Sequence, residues 1–202
     1  MKKLSPFEQG NEFWSDLIAK LNEYMAQGVL TSPSIRREIL ASYNLTEAGF
    51  TAIQSAAKYE VLCFAAYCAQ VAGSKRFIKL IRGFDRQSWL EFREGISDSM
   101  HAQVAILPKL EADVLLSSSE AADITVIHYL QTFTKGDPGA NVPRILALDK
   151  STLQETFAEF AENLEVSVRA LTPTGEYPTR LLQWCPDAEY IYNCAAACAD
   201  KK

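Results

Sequence analysis

The residue types that most often carry out catalysis are sparse in this chain of 202 residues, which contains only two histidines. Asp98 precedes His101 by three residues, a carboxylate and imidazole spacing that di-iron helical bundles use. Such a site needs two Glu-x-x-His pairs, and Thr125 stands three residues before His128. The sequence also lacks a nucleophile elbow, a glycine-rich phosphate loop and a dinucleotide fingerprint. We therefore lean against an enzyme and expect no cofactor.

Three of the five cysteines lie close together near the end of the sequence. Cys194 and Cys198 are four residues apart, so they share one face of a helix, and Cys185 could supply a third thiolate for zinc. No paired Cys-x-x-Cys motif supports a metal site, and isolated cysteines among alanines are more often small core residues. We expect no bound metal. The odd number and irregular spacing of the cysteines predict a reducing compartment, which favours the cytoplasm.

A basic run between residues 75 and 93 is the strongest candidate for a binding surface. It holds six basic and two acidic residues, in a chain whose net charge is −5. On a single helix, most of the cationic side chains would fall within one arc, opposite an aromatic and aliphatic face. The predicted binding residues are Lys75, Lys79, Arg82, Arg86, Trp89 and Arg93, with Trp89 offering a cation–π or stacking contact. The competing interpretation is a solvated face whose charges meet the protein's own acidic residues.

Residues 39–53 have the pattern of a helix-turn-helix, with Asn44 at the turn and Thr46 as the cap of the second helix. That helix would present Glu47 and Thr51 to a DNA groove, with no arginine, whereas phosphate contacts usually supply most of the affinity. The negative net charge also repels nucleic acid at long range. Two packed helices without nucleic acid are therefore the favoured interpretation.

The elements that must position these residues are mainly helices. Ser5 and Glu8 form a capping box for a first helix, which stops near Gly28. A second helix starts at Ser32, and a third starts at Thr46 and runs through an apolar stretch. We expect Gly73 to end the third helix, so that the basic run forms a helix of its own.

The apolar stretch, residues 61–72, includes Gln70 and is shorter than the roughly 20 apolar residues that span a bilayer. It predicts a buried core helix and no transmembrane segment. Residues 4–9 replace the apolar run that an export signal needs, which again favours the cytoplasm.

The last third has mixed patterns. Residues 102–117 are compatible with either a broken helix or a strand, and helices are predicted for residues 118–133, 151–163 and 187–199. Between the last two helices, Val166, Val168 and Ala170 alternate with polar neighbours, and residues 177–184 could return as a partner strand.

We therefore predict a predominantly α, multi-helix compact domain with a small β element in the last third, which would make it α+β. A single domain over 1–202 is expected, and the alternative is a helical part over 1–134 and a mixed part over 142–202. The predicted function is a non-catalytic protein-interaction module of the adaptor, chaperone or inhibitor type. It would bind the acidic surface of another protein, partly through the basic amphipathic helix.

Two other classes of function stay open. The first is a ligand-binding or enzymatic helical domain whose pocket lies between helices and is built from Tyr59, Tyr67, His101 or His128 together with the basic run. The second is a nucleic-acid binder that uses the helix-turn-helix pattern.

Overall fold

The computed structural model describes residues 4–27, 32–80, 86–105 and 150–200. These residues form six helices and no strand, which confirms the prediction of a predominantly helical protein. The helices are α1 Pro6–Gln27, α2 Pro33–Ser42, α3 Glu47–Leu80, α4 Arg86–Ala105, α5 Lys150–Leu171 and α6 Ala188–Ala199.

Three of the predicted helix starts are confirmed by capping hydrogen bonds, whereas Ser32 precedes α2 without a side-chain capping bond. The Ser5 hydroxyl accepts from the backbone N–H of Glu8, and the Glu8 carboxylate accepts from the N–H of Ser5 at 2.7 Å. Thr46 accepts from the N–H of Gly49 at 3.0 Å, and Asp187 caps α6 in the same way. These side chains satisfy donors that have no partner inside the helix, which fixes where each helix begins.

The long helix α3 is the centre of the core and contacts α1, α4, α5 and α6. Every residue from 61 to 73 is buried, which confirms that the apolar stretch is a core helix. Phe64 is fully buried and stacks on Phe160 of α5, with 4.5 Å between ring centroids. Helices from before and after the predicted division at 134–142 therefore share one hydrophobic core.

Helices α1 and α4 cross with their backbones in contact at two glycines. A Cβ atom on Gly10 would overlap the backbone oxygen of Phe92, and one on Gly95 would overlap the backbone oxygen of Phe7. Glycine lowers helix propensity by about 1 kcal/mol relative to alanine, so its presence inside two helices needs a steric reason. The close crossing supplies that reason.

The prediction that Gly73 ends the third helix is wrong. Helix α3 continues to Leu80, and a Cβ on Gly73 would lie only 2.9 Å from the ring of Phe92. Gly73 therefore allows the Phe92 ring of α4 to approach α3, and it has no role in ending the helix.

The two predicted strands are also wrong. Residues 166–170 belong to α5, because Phe160, Leu164 and Val168 recur every four residues and are buried as one helical face, whereas Val166 is 62% exposed. Residues 177–184 contain no strand, because residues 179–184 form turns in which the N–H groups of Leu181 and Leu182 donate to the carbonyl of Pro178. The helical spacing of buried residues extends over a longer segment than the alternation of apolar and polar residues, and the structure follows the helical pattern.

The predicted helix over 118–133, most of the undecided segment 102–117 and the proposed division at 134–142 lie outside the described residues. Within the described helices, none is both long and apolar enough to cross a membrane.

Candidate functional site

The basic run does not lie on one helix. Lys75 and Lys79 belong to the end of α3, whereas Arg86 begins α4, so a single amphipathic helix over residues 75–93 is wrong. The side chains of these three residues and the whole of Arg82 lie outside the described part of the structure. The remaining two predicted binding residues, Trp89 and Arg93, can be located in detail.

Trp89 and Arg93 lie where α4 packs against α3. The Trp89 ring is only 1% exposed, and the guanidinium carbon of Arg93 lies 4.6 Å from the ring centroid. The Nε of Arg93 donates to the Gln70 side-chain oxygen at 2.9 Å, and the Gln70 amide donates to the backbone oxygen of Arg93 at 3.1 Å. Trp89 therefore supports the guanidinium from the core side. Sequence analysis did not assign Gln70 a role, although a polar residue inside an apolar stretch was a usable signal.

The helix-turn-helix pattern is present as α2, a tight turn and the start of α3. Asn44 adopts a left-handed conformation with φ of 52°, as its place at the turn predicts. Arg36, one of the two cations on α2, forms an ion pair with Glu47 at 2.6 Å and lies over the Phe50 ring at 4.5 Å. These contacts hold α2 against α3. They also pair the positive charge of Arg36 with Glu47, whereas a contact with a DNA phosphate would require that charge.

A second candidate surface is an open groove of about 450 Å³ between α1 and α6. Tyr24 of α1 and Tyr190 of α6 are both half-exposed, and their rings lie 4.3 Å apart with an angle of 39° between their planes. Partial burial, followed by the neighbouring Cys194 thiol, raises the pKa of Tyr190. The groove is lined by Lys20, Glu23, Tyr24, Gln27, Tyr190, Asn193, Cys194 and Ala197.

A buried polar cluster lies inside the core, where α3 meets α5. Glu60 is only 7% exposed, and one of its carboxylate oxygens accepts from the Ser167 hydroxyl at 2.9 Å. The other oxygen, Oε2, is buried without a hydrogen-bond partner. Burial raises the pKa of Glu60, and the hydrogen bond from Ser167 opposes this effect. Burial, followed by the nearby Glu60 carboxylate, likewise raises the pKa of the Cys63 thiol.

The described residues proposed for an inter-helix pocket lie on α3 and α4. Tyr67 is fully buried, and burial raises its pKa. Tyr59 is half-buried two turns earlier on α3. His101 is half-buried on α4, and His128 lies outside the described residues.

The three cysteines considered for zinc lie in different environments. Cys198 is fully buried, Cys194 borders the groove, and burial raises the pKa of Cys185 to about 12. Within the described ranges, no three His, Cys, Asp or Glu side chains are grouped closely enough to hold a metal ion.

Comparisons with protein-family models, with curated proteins and with solved structures found no match to this chain.

Proposed function

We propose that this protein is an interaction module that binds a protein partner in the groove between α1 and α6. The observation that carries the proposal is the pair of half-exposed tyrosines, Tyr24 and Tyr190, in contact at the groove. Tyrosine is enriched at the energetically dominant positions of interfaces, because its large ring loses little conformational entropy on binding.

The surroundings of the two rings fit this role. Lys20, Glu23, Gln27 and Asn193 surround the aromatic pair with charged and amide groups. Interfaces generally combine an aromatic centre with a polar rim that forms hydrogen bonds and excludes water. The tyrosines project from helices whose opposite faces belong to the hydrophobic core, so the rings are held in place before a partner binds.

The basic run extends this proposal. An acidic surface on the same partner would contact the cationic residues Lys75, Lys79, Arg82 and Arg86, because opposite charges attract across an interface. These cations are concentrated in one run of a chain whose net charge is −5. We place the interaction in the cytoplasm, and the five cysteines, all within the described residues and all held as thiols rather than disulfides, support a reducing compartment.

The test begins with affinity capture by the full chain at low salt and identification of the captured protein. The dissociation constant for that protein is then measured for the wild type and for the Tyr24→Ala and Tyr190→Ala variants. Each variant should weaken binding by at least about thirtyfold, which corresponds to the loss of about 2 kcal/mol that marks an interface residue that dominates affinity. Val166→Ala removes an exposed apolar side chain on α5 and is the matched control, which should bind like the wild type. Equal affinity of all four proteins would refute the groove as the binding site.

The contribution of the basic run is measured separately by reversing Lys79, Arg82 and Arg86 to Glu. We expect a folded variant with a reduced association rate for the same partner, and we expect added salt to reduce the rate of the wild type in a similar way. If both the rate and its salt dependence are unchanged, the basic run takes no part in binding.

A small-ligand-binding function is the second candidate, because the volume of the groove falls within the 300 to 1,000 Å³ typical of small-molecule sites. A ligand that binds only the native state raises the melting temperature by mass action. A metabolite that raises the melting temperature of the wild type but not that of Tyr190→Ala would favour this candidate over a protein partner.

A further inference from the structure

Arg93 has a supporting structure that fixes the orientation of its guanidinium group. Its Nε is used by the hydrogen bond to Gln70, while Gln70 holds the backbone of the same residue through its amide. The Trp89 ring lies against the guanidinium at 4.6 Å and is itself buried. Contacts from α3 and α4 together therefore restrict a side chain that would otherwise sample many rotamers.

The charge of Arg93 is not neutralised by these contacts. Gln70 and Trp89 are both uncharged, and within the described part of the chain no carboxylate lies within ion-pair distance of Arg93. The nearest acids along α4 are Glu91, which accepts from Gln87 at 3.0 Å, and the exposed Glu94. Burial lowers the pKa of Arg93, which reflects the cost of holding a charge partly away from water.

The two Nη atoms of Arg93 remain available to donate hydrogen bonds to a ligand. Among the described residues neither Nη atom donates to a protein oxygen, and Arg93 retains partial exposure. The edge formed by the two Nη atoms presents parallel N–H donors at the spacing of two oxygens of a carboxylate or a phosphate group. An arginine that is stacked on an aromatic ring and oriented by a neutral hydrogen bond is already arranged for bidentate contact.

We propose that Arg93 binds an oxyanion, either a carboxylate or a phosphate group, through its two Nη atoms, and that Gln70 and Trp89 are positioning residues for it. This site lies between α3 and α4 and does not rest on the groove between α1 and α6.

The experiment uses the full chain labelled with ¹⁵N and follows the NMR signal of the Arg93 Nε–H, which is assigned by its absence in Arg93→Lys. Inorganic phosphate and succinate are titrated in separate series at constant ionic strength. A saturable shift with phosphate alone assigns a phosphate group, a saturable shift with succinate alone assigns a carboxylate, and saturation with both assigns an oxyanion without preference. The absence of saturation in both series overturns the proposal.

Variants test whether the effect belongs to the bidentate group. Arg37 is the matched control, because its Nε also donates to a neutral oxygen, that of Pro33, but the residue is exposed. Arg93→Lys keeps the charge without the planar pair of donors, and we expect it to weaken the anion affinity, measured by calorimetry, by at least about tenfold. Arg37→Lys should leave that affinity unchanged. Equal affinities for Arg93→Lys and the wild type would overturn the proposal, and the titration of the wild type remains decisive if the variant does not fold.

Discussion

The carboxyl group of Glu60 makes the stability of the core depend on pH. Glu60 is 7% exposed, and burial raises its pKa above the ordinary value of 4.5. A group whose pKa is raised in the folded state contributes stability that is fully present below its unfolded pKa. This contribution is lost as the pH rises through the folded pKa. Between those two values the native state holds a proton that the unfolded chain has released, so each pH unit costs up to about 1.4 kcal/mol.

Glu60→Gln removes this dependence and preserves the shape of the side chain. The amide oxygen can accept from Ser167 as the carboxylate oxygen does, and the amide nitrogen takes the place of the buried Oε2, which has no hydrogen-bond partner. At pH 4, where Glu60 is mostly protonated in both states, the protonated carboxyl leaves one buried O–H without a partner and the amide leaves two N–H donors, so we expect the variant to be less stable than the wild type by up to about 3 kcal/mol. As the pH rises above 4.5, the variant should progressively gain stability relative to the wild type.

Denaturant melts at intervals from pH 4 to pH 8 measure this difference. It should rise by at most about 1.4 kcal/mol per pH unit and level off above the folded pKa, so the height of the plateau reports the size of the shift. Glu162→Gln, an exposed residue on α5, corrects for the loss of one negative charge. A difference that stays constant over the whole range would refute the argument, because Glu60 would then titrate alike in the folded and unfolded states.

Two further predictions concern packing, and both are checked by denaturant melts. Phe64→Ala removes a fully buried ring that stacks on Phe160, and we expect a loss of about 3 to 5 kcal/mol, against less than about 0.5 kcal/mol for the exposed Val166→Ala. Gly10→Ala should destabilise the protein by about 1 to 3 kcal/mol or more, because the new Cβ overlaps the backbone of α4. At Gly49 a new Cβ meets only side chains, those of Leu45 at 3.3 Å and Thr46 at 3.4 Å, so Gly49→Ala should be neutral or stabilising by up to about 1 kcal/mol. A Phe64→Ala loss below about 1 kcal/mol, or equal effects of the two glycine substitutions, would contradict the packing described.

Local signals in the sequence were sufficient for the elements whose ends are fixed by local chemistry. The capping box at Ser5, the cap at Thr46 and the turn at Asn44 each depend on residues within three or four positions, so spacing alone identifies them. The core helix was equally accessible, because a buried helix needs only a sustained apolar stretch.

The elements that were predicted wrongly depend on contacts between distant parts of the chain. Gly73 looks like a helix end in isolation, but the Phe92 ring of α4 occupies the space beside it. Gly10 and Gly95 each lower helix propensity, and only their contact across α1 and α4 explains why they are there. A glycine inside a helix therefore indicates either an end or a close approach, and the sequence of one helix cannot distinguish the two.

The candidate sites show the same difference between local signals and contacts that join distant parts of the chain. The charges of the basic run were visible in the sequence, but the arc that united them assumed one continuous helix, whereas α3 and α4 divide the run. Tyr24 and Tyr190 lie near opposite ends of the chain, so no spacing rule could pair them before the fold brought α1 and α6 together. Gln70 interrupts the apolar stretch in the sequence, and its hydrogen bond with Arg93 explains why a polar residue stands at this buried position. A buried polar residue needs a hydrogen-bond partner, and in this protein the partner is Arg93, whose two Nη atoms donate to no protein oxygen among the described residues.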